Sequence, residues 1–335
     1  MGPEIRGPAG AAAVANAPCV LFAYHEMGHA CMAALLQMGV PIMALFTHRD
    51  VPGEEIWWRS CAELAHVNSI PLHTPKMIDA GWIAKIAAMR PAVIYSFNYR
   101  NLLPGELLRL APLGAYNVHG ALLPRYRGRA PVNWVLVNGE RETGMTLHHM
   151  VRRADAGDIV GQRAITISDD DTALTLYRKL VPLAVELVRE FHPLIAAGRA
   201  PRRSQDLSSG NYVGRRRPED GRIDWRWPAR RVFNLVRAVT HPYPGAFCFA
   251  GGRKLFVWQA RVAHASGRRG EPGEIVGNGG GSGAISARTE LDGAVEIAAG
   301  EGSIMALRLQ FEGEAERAAA ELLGAEAVRA RLRLE

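Results

Sequence analysis

Residues 19–46 read CVLFAYHEMGHACMAALLQMGVPIMALF. Two short apolar runs, CVLFAY and VPIMALF, flank a segment from Met27 to Met38 that reads as a helix. A strand that is apolar on both faces has no solvent side, so it belongs inside a sheet covered by helices. The alternation continues outward, with helical stretches over Glu55–Asn68 and Met77–Met89 and strands AVIYSF at 92–97 and AYNVH at 115–119. Strands alternating with helices predict an α/β fold around a parallel sheet. Residues 143–167 then read as a strand pair, and Thr172 to Ala197 as one long amphipathic helix.

Beyond this the texture changes. Residues 199–212 are rich in Arg, Ser and Gly and read as a linker. A helix at about 228–239 is followed by the short strands GAFCFA, KLFVWQARV, GEIV, GAISA, AVEIAA and SIMALRLQF, separated by Gly-rich turns such as GNGGGSG. Strands at this spacing predict a small β-barrel or sandwich. A helical piece over Glu314–Leu332 is expected to close the chain, and the Gly/Ala/Pro-rich residues 1–18 are expected to form a disordered tail.

Composition narrows the function class. The 335 residues carry 48% hydrophobic and 22% charged side chains, which argues for a folded chain of about two domains. No apolar run reaches the roughly 18 residues of a membrane-spanning helix. The four cysteines, Cys19, Cys31, Cys61 and Cys248, are scattered without CxxC pairing. A disulfide framework or cysteine zinc site is therefore not expected, and a cytoplasmic location is. The net charge is +7 and only Lys76, Lys85, Lys179 and Lys254 are lysines, so the cations are nearly all arginine. Arginine suits phosphate and carboxylate partners.

Some motifs exclude more than they promise. His25-Glu26-Met27-Gly28-His29 matches the zinc-peptidase HExxH. It sits where a strand turns into a helix, so His25 is expected before the helix begins. No third ligand follows at a suitable spacing, and no metal is expected. The same turn lacks GxGxxG, which disfavours a nicotinamide oxidoreductase, and no Walker phosphate loop occurs. His148 and His149 are neighbours on a predicted strand, so they point to opposite faces, one expected in solvent and the other packed.

The stretch with chemical content is AYNVHGALLPRYRGRAPVNWVLVNGERETGMTLHHMVRRADAGDIV, residues 115–160. Asn117 and His119 are two apart on a strand and share a face. They lie at its carboxyl end, where open α/β sheets place their ligands. An amide donor beside an imidazole can stabilise an oxyanion while moving a proton. Asp155 lies in the tight turn RADAGD; an aspartate near a histidine fixes its tautomer and raises its pKa. By themselves these residues read more readily as a packed histidine and a turn aspartate, since isolated His and Asp residues are seldom catalytic.

In order and spacing the stretch resembles the signature of the 10-formyltetrahydrofolate-dependent formyltransferases, an Asn-x-His-Gly-Ser-Leu-Leu-Pro-x-Tyr/Trp-Arg-Gly block followed by an Asp-x-Gly turn. The likeness extends over nearly the whole chain after the tail, including GRIDWRWPARRVFNLVRAVTHPYPGAF at 221–247. It implies a Rossmann-like parallel-sheet catalytic domain over 19–205 and a smaller OB-like β-barrel domain with a terminal helix over 206–335. It also implies 10-formyltetrahydrofolate as formyl donor. His119 would handle the proton leaving the attacking amine, Asn117 would stabilise the oxyanion, and Asp155 would support His119. Folate contacts would fall on Asn101, Leu102 and Leu103, on Arg129, and on the turn Val151, Arg152, Arg153, Ala154 and Asp155. The sequence departs from the pattern at Ala121, where the family has serine. Asn98 replaces an aromatic of the most similar branch.

That branch formylates UDP-4-amino-4-deoxy-L-arabinose for lipid A modification, a step of lipopolysaccharide biosynthesis linked to polymyxin resistance. The shared segments are FAYHEMG, FTHRDVPGE, SFNYRNLL, RGRAPVNWVLVNGERETG and VRRADAGDIV. The alternatives are methionyl-tRNA formyltransferases and formyltransferases for other nucleotide-linked amino sugars. The tRNA enzymes carry a basic Gly/Lys-rich loop after the second strand. Here THRDVPGEEIWWRS, residues 47–60, is short and net acidic, a poor surface for a phosphate backbone. A UDP-amino sugar is therefore the expected partner, and nucleic acid is not.

Overall fold

The computed structural model describes residues 17–50, 53, 55–263, 270–278, 293–324, 327, 330 and 332–335. Most of the expected tail and the GAISA strand lie outside them. Ala17 and Pro18, assigned to that tail, belong to the fold: Ala17 is buried, and the Pro18 carbonyl accepts from the backbone N–H groups of Ala92 and Val93.

Two compact units divide the chain. The first contains residues up to Pro131, Glu142–Thr166 and Tyr177–Gly214; the second contains Val132–Arg141, Ile167–Leu176 and Arg215–Glu335. In the first, β1 (Cys19–Ala23), β2 (Ile42–Phe46), β3 (Leu72–His73), β4 (Val93–Phe97) and β5 (Ala115–His119) lie parallel. The antiparallel pair β7 (Glu142–His149) and β8 (Ile159–Thr166) continues the sheet beyond β5, giving the order β3-β2-β1-β4-β5-β7-β8. A two-residue pair, β6 (Arg127–Gly128) with β9 (Tyr212–Val213), stands beside it.

The strands form here because their side chains have nowhere wet to point. β1 and β4 are buried at every position. On one face Val20, Phe22, Ala44, Phe46 and Ile94 pack with Ile86, Leu103 and Leu107. Burying each large side chain of such a cluster contributes about 1.5–3 kcal/mol. The helices are α1 (His25–Gln37), α2 (Cys61–Val67), α3 (Ala80–Met89), α4 (Gly105–Leu108), α5 (Pro131–Val137), α6 (Ala173–Ala196), α7 (Ala229–Val239) and α8 (Ala319–Leu322). α2 and α3 start where Ser60 and Asp79 accept from the backbone N–H groups of Glu63 and Trp82.

The second unit holds a curled antiparallel sheet. Its order is β10 (Ala246–Ala250), β11 (Arg253–Val262), β14 (Ser303–Phe311), β13 (Val295–Ala298) and β12 (Ile275–Asn278), with β15 (Arg317–Ala318) on β14. Residues 332–335 bridge the two outer strands. Glu335 exchanges both backbone hydrogen bonds with Phe249, while Leu332 and Leu334 bond to Ile275 and Gly273. Of the helix expected over Glu314–Leu332, the described part holds the four residues of α8, preceded by Arg317 and Ala318, which pair with the sheet instead; residues 325, 326, 328, 329 and 331 lie outside the described residues.

The stretch 199–212, expected as a linker, is hydrogen-bonded into the first unit. Arg203 exchanges backbone bonds with Ile159, and β9 follows at its end. The side chains of Arg202, Arg203, Ser204 and Gln205 bond to residues between Asp155 and Gln162.

Candidate active site

At the carboxyl end of β5, register pairs Asn117 with His148 and His119 with Thr146 of β7. The Asp155 turn joins β7 to β8 and brings its carboxylate back over this strand end. Asp155 Oδ2 lies 3.6 Å from His119 Nδ1 and accepts the Gly128 N–H at 2.9 Å. Its Oδ1 lies 3.5 Å from both Asn117 Nδ2 and His148 Nε2. The three residues that the sequence singled out for chemistry thus converge, although they come from a strand and a loop 36 or more positions later.

The tautomers follow from the acceptors. His119 Nε2 is 2.8 Å from the Tyr126 carbonyl, so it carries a proton, and Nδ1 is the nitrogen facing Asp155. His148 Nδ1 is 2.8 Å from the His149 carbonyl and likewise carries a proton. His148 Nε2 lies 3.1 Å from Asn117 Nδ2, and that amide group also donates to Asp155 Oδ1 at 3.5 Å. The amide of Asn117 is thereby turned with its donor group toward the cluster. Burial pushes the Asp155 carboxyl up, but His119, His148 and the Gly128 N–H outweigh it and hold the group well below the usual carboxylate range.

His148 was missed by the sequence reading. One member of the pair was expected in solvent, yet both are buried, at 2% and 5% exposure. The rings do point apart: His148 joins the cluster, while His149 Nε2 is bound to the Pro201 carbonyl. The register of β5 against β7, invisible in one chain segment, decides this.

Two glycines have steric reasons. A Cβ on Gly157, in the Asp155 turn, would sit 2.0 Å from the His149 carbonyl oxygen. At Gly128, with φ +106°, it would sit 2.2 Å from the Val213 carbonyl oxygen. The segment expected as a linker braces both places. Gln205 Nε2 donates to the carbonyls of Asp155 and Gly157, and Arg127 and Arg129 donate their backbone N–H groups to Asn211 and Val213. Among the described residues, five of the seven non-glycine positions with positive φ are His25, Asn98, Tyr126, Ala130 and Asp155. All lie at strand ends or site loops, where backbone strain is commonly stored.

The expected folate residues occupy two loops. Asn101 donates to the Lys76 carbonyl, and the Leu102 side chain is 73% exposed. Leu103 differs: its side chain is 7% exposed within the core, so only its backbone is free to meet a ligand. Arg129 reaches the Arg100 carbonyl at 3.3 Å, joining its loop to the end of β4. Val151, Arg152 and Arg153 are exposed and Ala154 is half-buried. Leu102 and Val151 are exposed apolar side chains, one on each of these loops. Where the family has serine, Ala121 is buried, and its carbonyl accepts from the Thr146 hydroxyl at 2.6 Å.

The HEMGH residues do other work. α1 begins at His25 itself, not after it, with φ +68° at that position. His25 Nδ1 is 3.0 Å from the Tyr177 hydroxyl, and Glu26 is paired with Arg59. Among the described residues no group of three or more His, Cys, Asp or Glu is arranged to hold a metal ion.

The family model for formyl transferase matches residues 37–190, and that for the formyl transferase C-terminal domain matches residues 216–326. The chain belongs to the formyl transferase family. Similar folds recur in solved structures. One is HypX from Aquifex aeolicus in complex with tetrahydrofolic acid, at 18% identity and TM-score 0.58, covering 91% of this chain and 46% of that one. This chain therefore spans about half the length of HypX. Another is an N-formyltransferase from Helicobacter canadensis with folinic acid and dTDP-3-aminofucose, at 17% identity and TM-score 0.63, covering 87% of this chain and 98% of that one. A sugar N-formyltransferase from Shewanella matches at 17% identity and TM-score 0.59, covering 72% of this chain and 96% of that one. No helix among the described residues of this formyltransferase is long and apolar enough to cross a membrane.

Proposed function

We propose that this formyltransferase moves the formyl group of 10-formyltetrahydrofolate to the 4-amino group of UDP-4-amino-4-deoxy-L-arabinose in the cytoplasm, as a step of lipid A modification. The observation that carries the formyl-transfer reading is the convergence of Asn117, His119 and Asp155 at the end of β5. The donor supplies the formyl carbon: its bond to N10 breaks, a bond to the sugar nitrogen forms, the amine loses one proton and N10 gains one. A neutral amine becomes cationic as it adds, so a base must stand beside it. His119 has that role, with Nδ1 as the accepting atom and Nε2 anchored on the Tyr126 carbonyl. Asp155, ionised throughout the neutral range, favours the charged ring that results. One N–H of the Asn117 amide, which is positioned beside His148 and released from its long 3.5 Å contact with Asp155, meets the oxygen on which negative charge develops. Asn101, Leu102, the Leu103 backbone, Arg129 and the Val151–Asp155 turn hold the folate.

The substrate class is supported by the solved N-formyltransferase structures of similar fold and by the short, net acidic 47–60 loop. The test is formyl transfer from 10-formyltetrahydrofolate to a panel of UDP- and dTDP-linked 4-amino sugars, with methionyl-tRNA alongside. Turnover of the UDP-arabinose amine is expected to exceed the others. Formylation of the tRNA with no sugar turned over would defeat the reading. In the same assay His119→Ala and Asn117→Ala are each expected to lower turnover by at least about 100-fold, with folate affinity within a few-fold.

A further inference from the structure

A second cavity-forming region lies on the same edge of the sheet, at the carboxyl ends of β1, β2 and β3. A space of about 420 Å³ is lined there by Tyr24, His25, His48, Arg49, Asp50 and Trp58, with Ile56 and Leu72 among its apolar walls. Ile56 and Leu72 are 48% and 41% exposed. Trp58 stacks on His25 with ring centroids 3.9 Å apart and 25° between planes. This is the HEMGH histidine, and the tryptophan comes from the 47–60 loop.

The hydrogen-bond partners fix what each ring offers. The Tyr177 hydroxyl receives the Met27 N–H at 3.0 Å and the Asn98 amide at 3.2 Å, so its own proton points to His25 Nδ1. His25 is then left with Nε2–H as its donor. The Arg100 N–H donates to His48 Nε2 at 3.0 Å, which leaves Nδ1–H as the donor of His48. Tyr24 donates to Asp50 Oδ1 at 2.7 Å, and a carboxylate keeps further lone pairs on its other oxygen. Burial and the nearby Arg100 charge hold both imidazoles neutral, His25 down to about 3 and His48 to about 4. Among the aromatic faces the cavity offers two ring N–H donors and one carboxylate acceptor, with the Arg49 guanidinium and the hydroxyls of Thr47, Ser60 and Thr74 also on its wall. A pyrimidine-2,4-dione edge presents the complement, one N–H between two carbonyls.

We propose that this cavity is the base subsite of the sugar nucleotide and that it selects a pyrimidine dione. The assignment rests on the sugar-nucleotide reading above. β2 stands three strands from β5, roughly 14 Å at 4.7–4.9 Å per strand. A base is joined to its sugar through ribose and diphosphate, and this link covers that span. The pterin has to stay close to the formyl carbon and does not reach so far.

The experiment is titration calorimetry of the full chain with UDP, CDP and ADP, without folate or amino sugar. UDP is expected to bind at least tenfold more tightly than CDP, because cytosine puts an amine donor and a bare ring nitrogen where the dione has an acceptor and a donor. Trp58→Ala is expected to weaken UDP by about tenfold or more, since a stacking wall is lost. His48→Gln, which retains a carbonyl to accept from the Arg100 N–H, is expected to narrow the UDP-to-CDP ratio. Circular dichroism checks that each variant is folded. Equal affinity for UDP and CDP, or UDP binding unchanged in both folded variants, would overturn the assignment. If UDP binds as expected but no 4-amino sugar is formylated, the base subsite stands and the sugar reading falls.

Discussion

The end of β5 and the ends of β1 and β2 lie on one edge of one sheet, yet they are built on opposite plans. At β5 four polar side chains, Asn117, His119, His148 and Asp155, lie within 3.1–3.6 Å of one another in several pairs, with little space among them. At β1 and β2 the rings of Tyr24, His25, His48 and Trp58 surround a cavity, and the hydrogen bonds are spent on holding the rings in place. A polar network at contact distance fixes tautomers and suits proton transfer. Uncharged rings around a space suit recognition of a flat ligand. The first plan concentrates effects on kcat and the second on KM, and the two are separable by substitution.

The largest effect is expected from Asp155→Asn. The amide keeps the size of the side chain but removes the charge that favours a protonated His119. It also places a donor group where two acceptors are needed, opposite Gly128 N–H and Asn117. Turnover is expected to fall by about 100-fold, with UDP and folate affinities little changed. The acidic-limb pKa of the pH–rate profile is expected to fall as well, because loss of the charge disfavours imidazolium. Turnover within a few-fold of wild type would mean that the contact at β5 does not serve chemistry.

His148→Asn comes next. Asparagine is too short to reach Asn117 from the same backbone position, so the Asn117 amide loses its orienting acceptor. A drop of about tenfold in kcat with an unchanged KM for the sugar nucleotide is expected. A raised KM with normal kcat would place His148 with the recognition region instead. Gln205→Ala is smaller again. It removes two side-chain bonds to the Asp155–Gly157 turn, each worth roughly 0.5–1.5 kcal/mol. A fewfold loss of turnover is expected, together with faster proteolysis near residue 205 than in the wild type. Unchanged cleavage and turnover would mean that the 199–212 stretch does not brace the site.

Much of this was legible beforehand, for reasons that can be named. β1, β2, β4 and β5 were visible because strands buried on both faces leave unbroken apolar runs, and Asn117 and His119 share a face by the two-residue period of a strand. β3 has only two residues, Leu72 and His73, too few for any period to register. His148 depends on which strand neighbours β5. The 199–212 stretch looks like a linker because its residues are polar, and its backbone bonds to Ile159 and Arg127 are long-range. The HEMGH match drew attention to a motif whose members answer to separate partners, Tyr177 and Arg59, that no local spacing predicts.

The smallest effect separates the two regions by pH. His25 and His48 stay neutral in the fold down to about 3 and about 4, whereas in the unfolded chain a histidine titrates near 6.5. Between these values the unfolded chain binds more protons, so stability is complete above pH 6.5 and is lost as pH falls toward 4. Asp155 acts lower. Its carboxyl is held below its unfolded value of 3.8, so its contribution is full above that pH and is lost only beneath it. His192, buried against Tyr95 and also held down to about 4, adds to the upper slope in every variant, so the readout is a difference. Denaturant midpoints measured at pH 7.5, 5.5 and 3.5 provide it. His48→Gln is expected to lose less stability than wild type between 7.5 and 5.5. Asp155→Asn is expected to flatten relative to wild type below 3.8. If His48→Gln tracks wild type between 7.5 and 5.5 while remaining folded, the His48 ring takes up its proton in the native state as it does in the unfolded chain, and the neutral-ring character of the β1–β2 region fails at that residue.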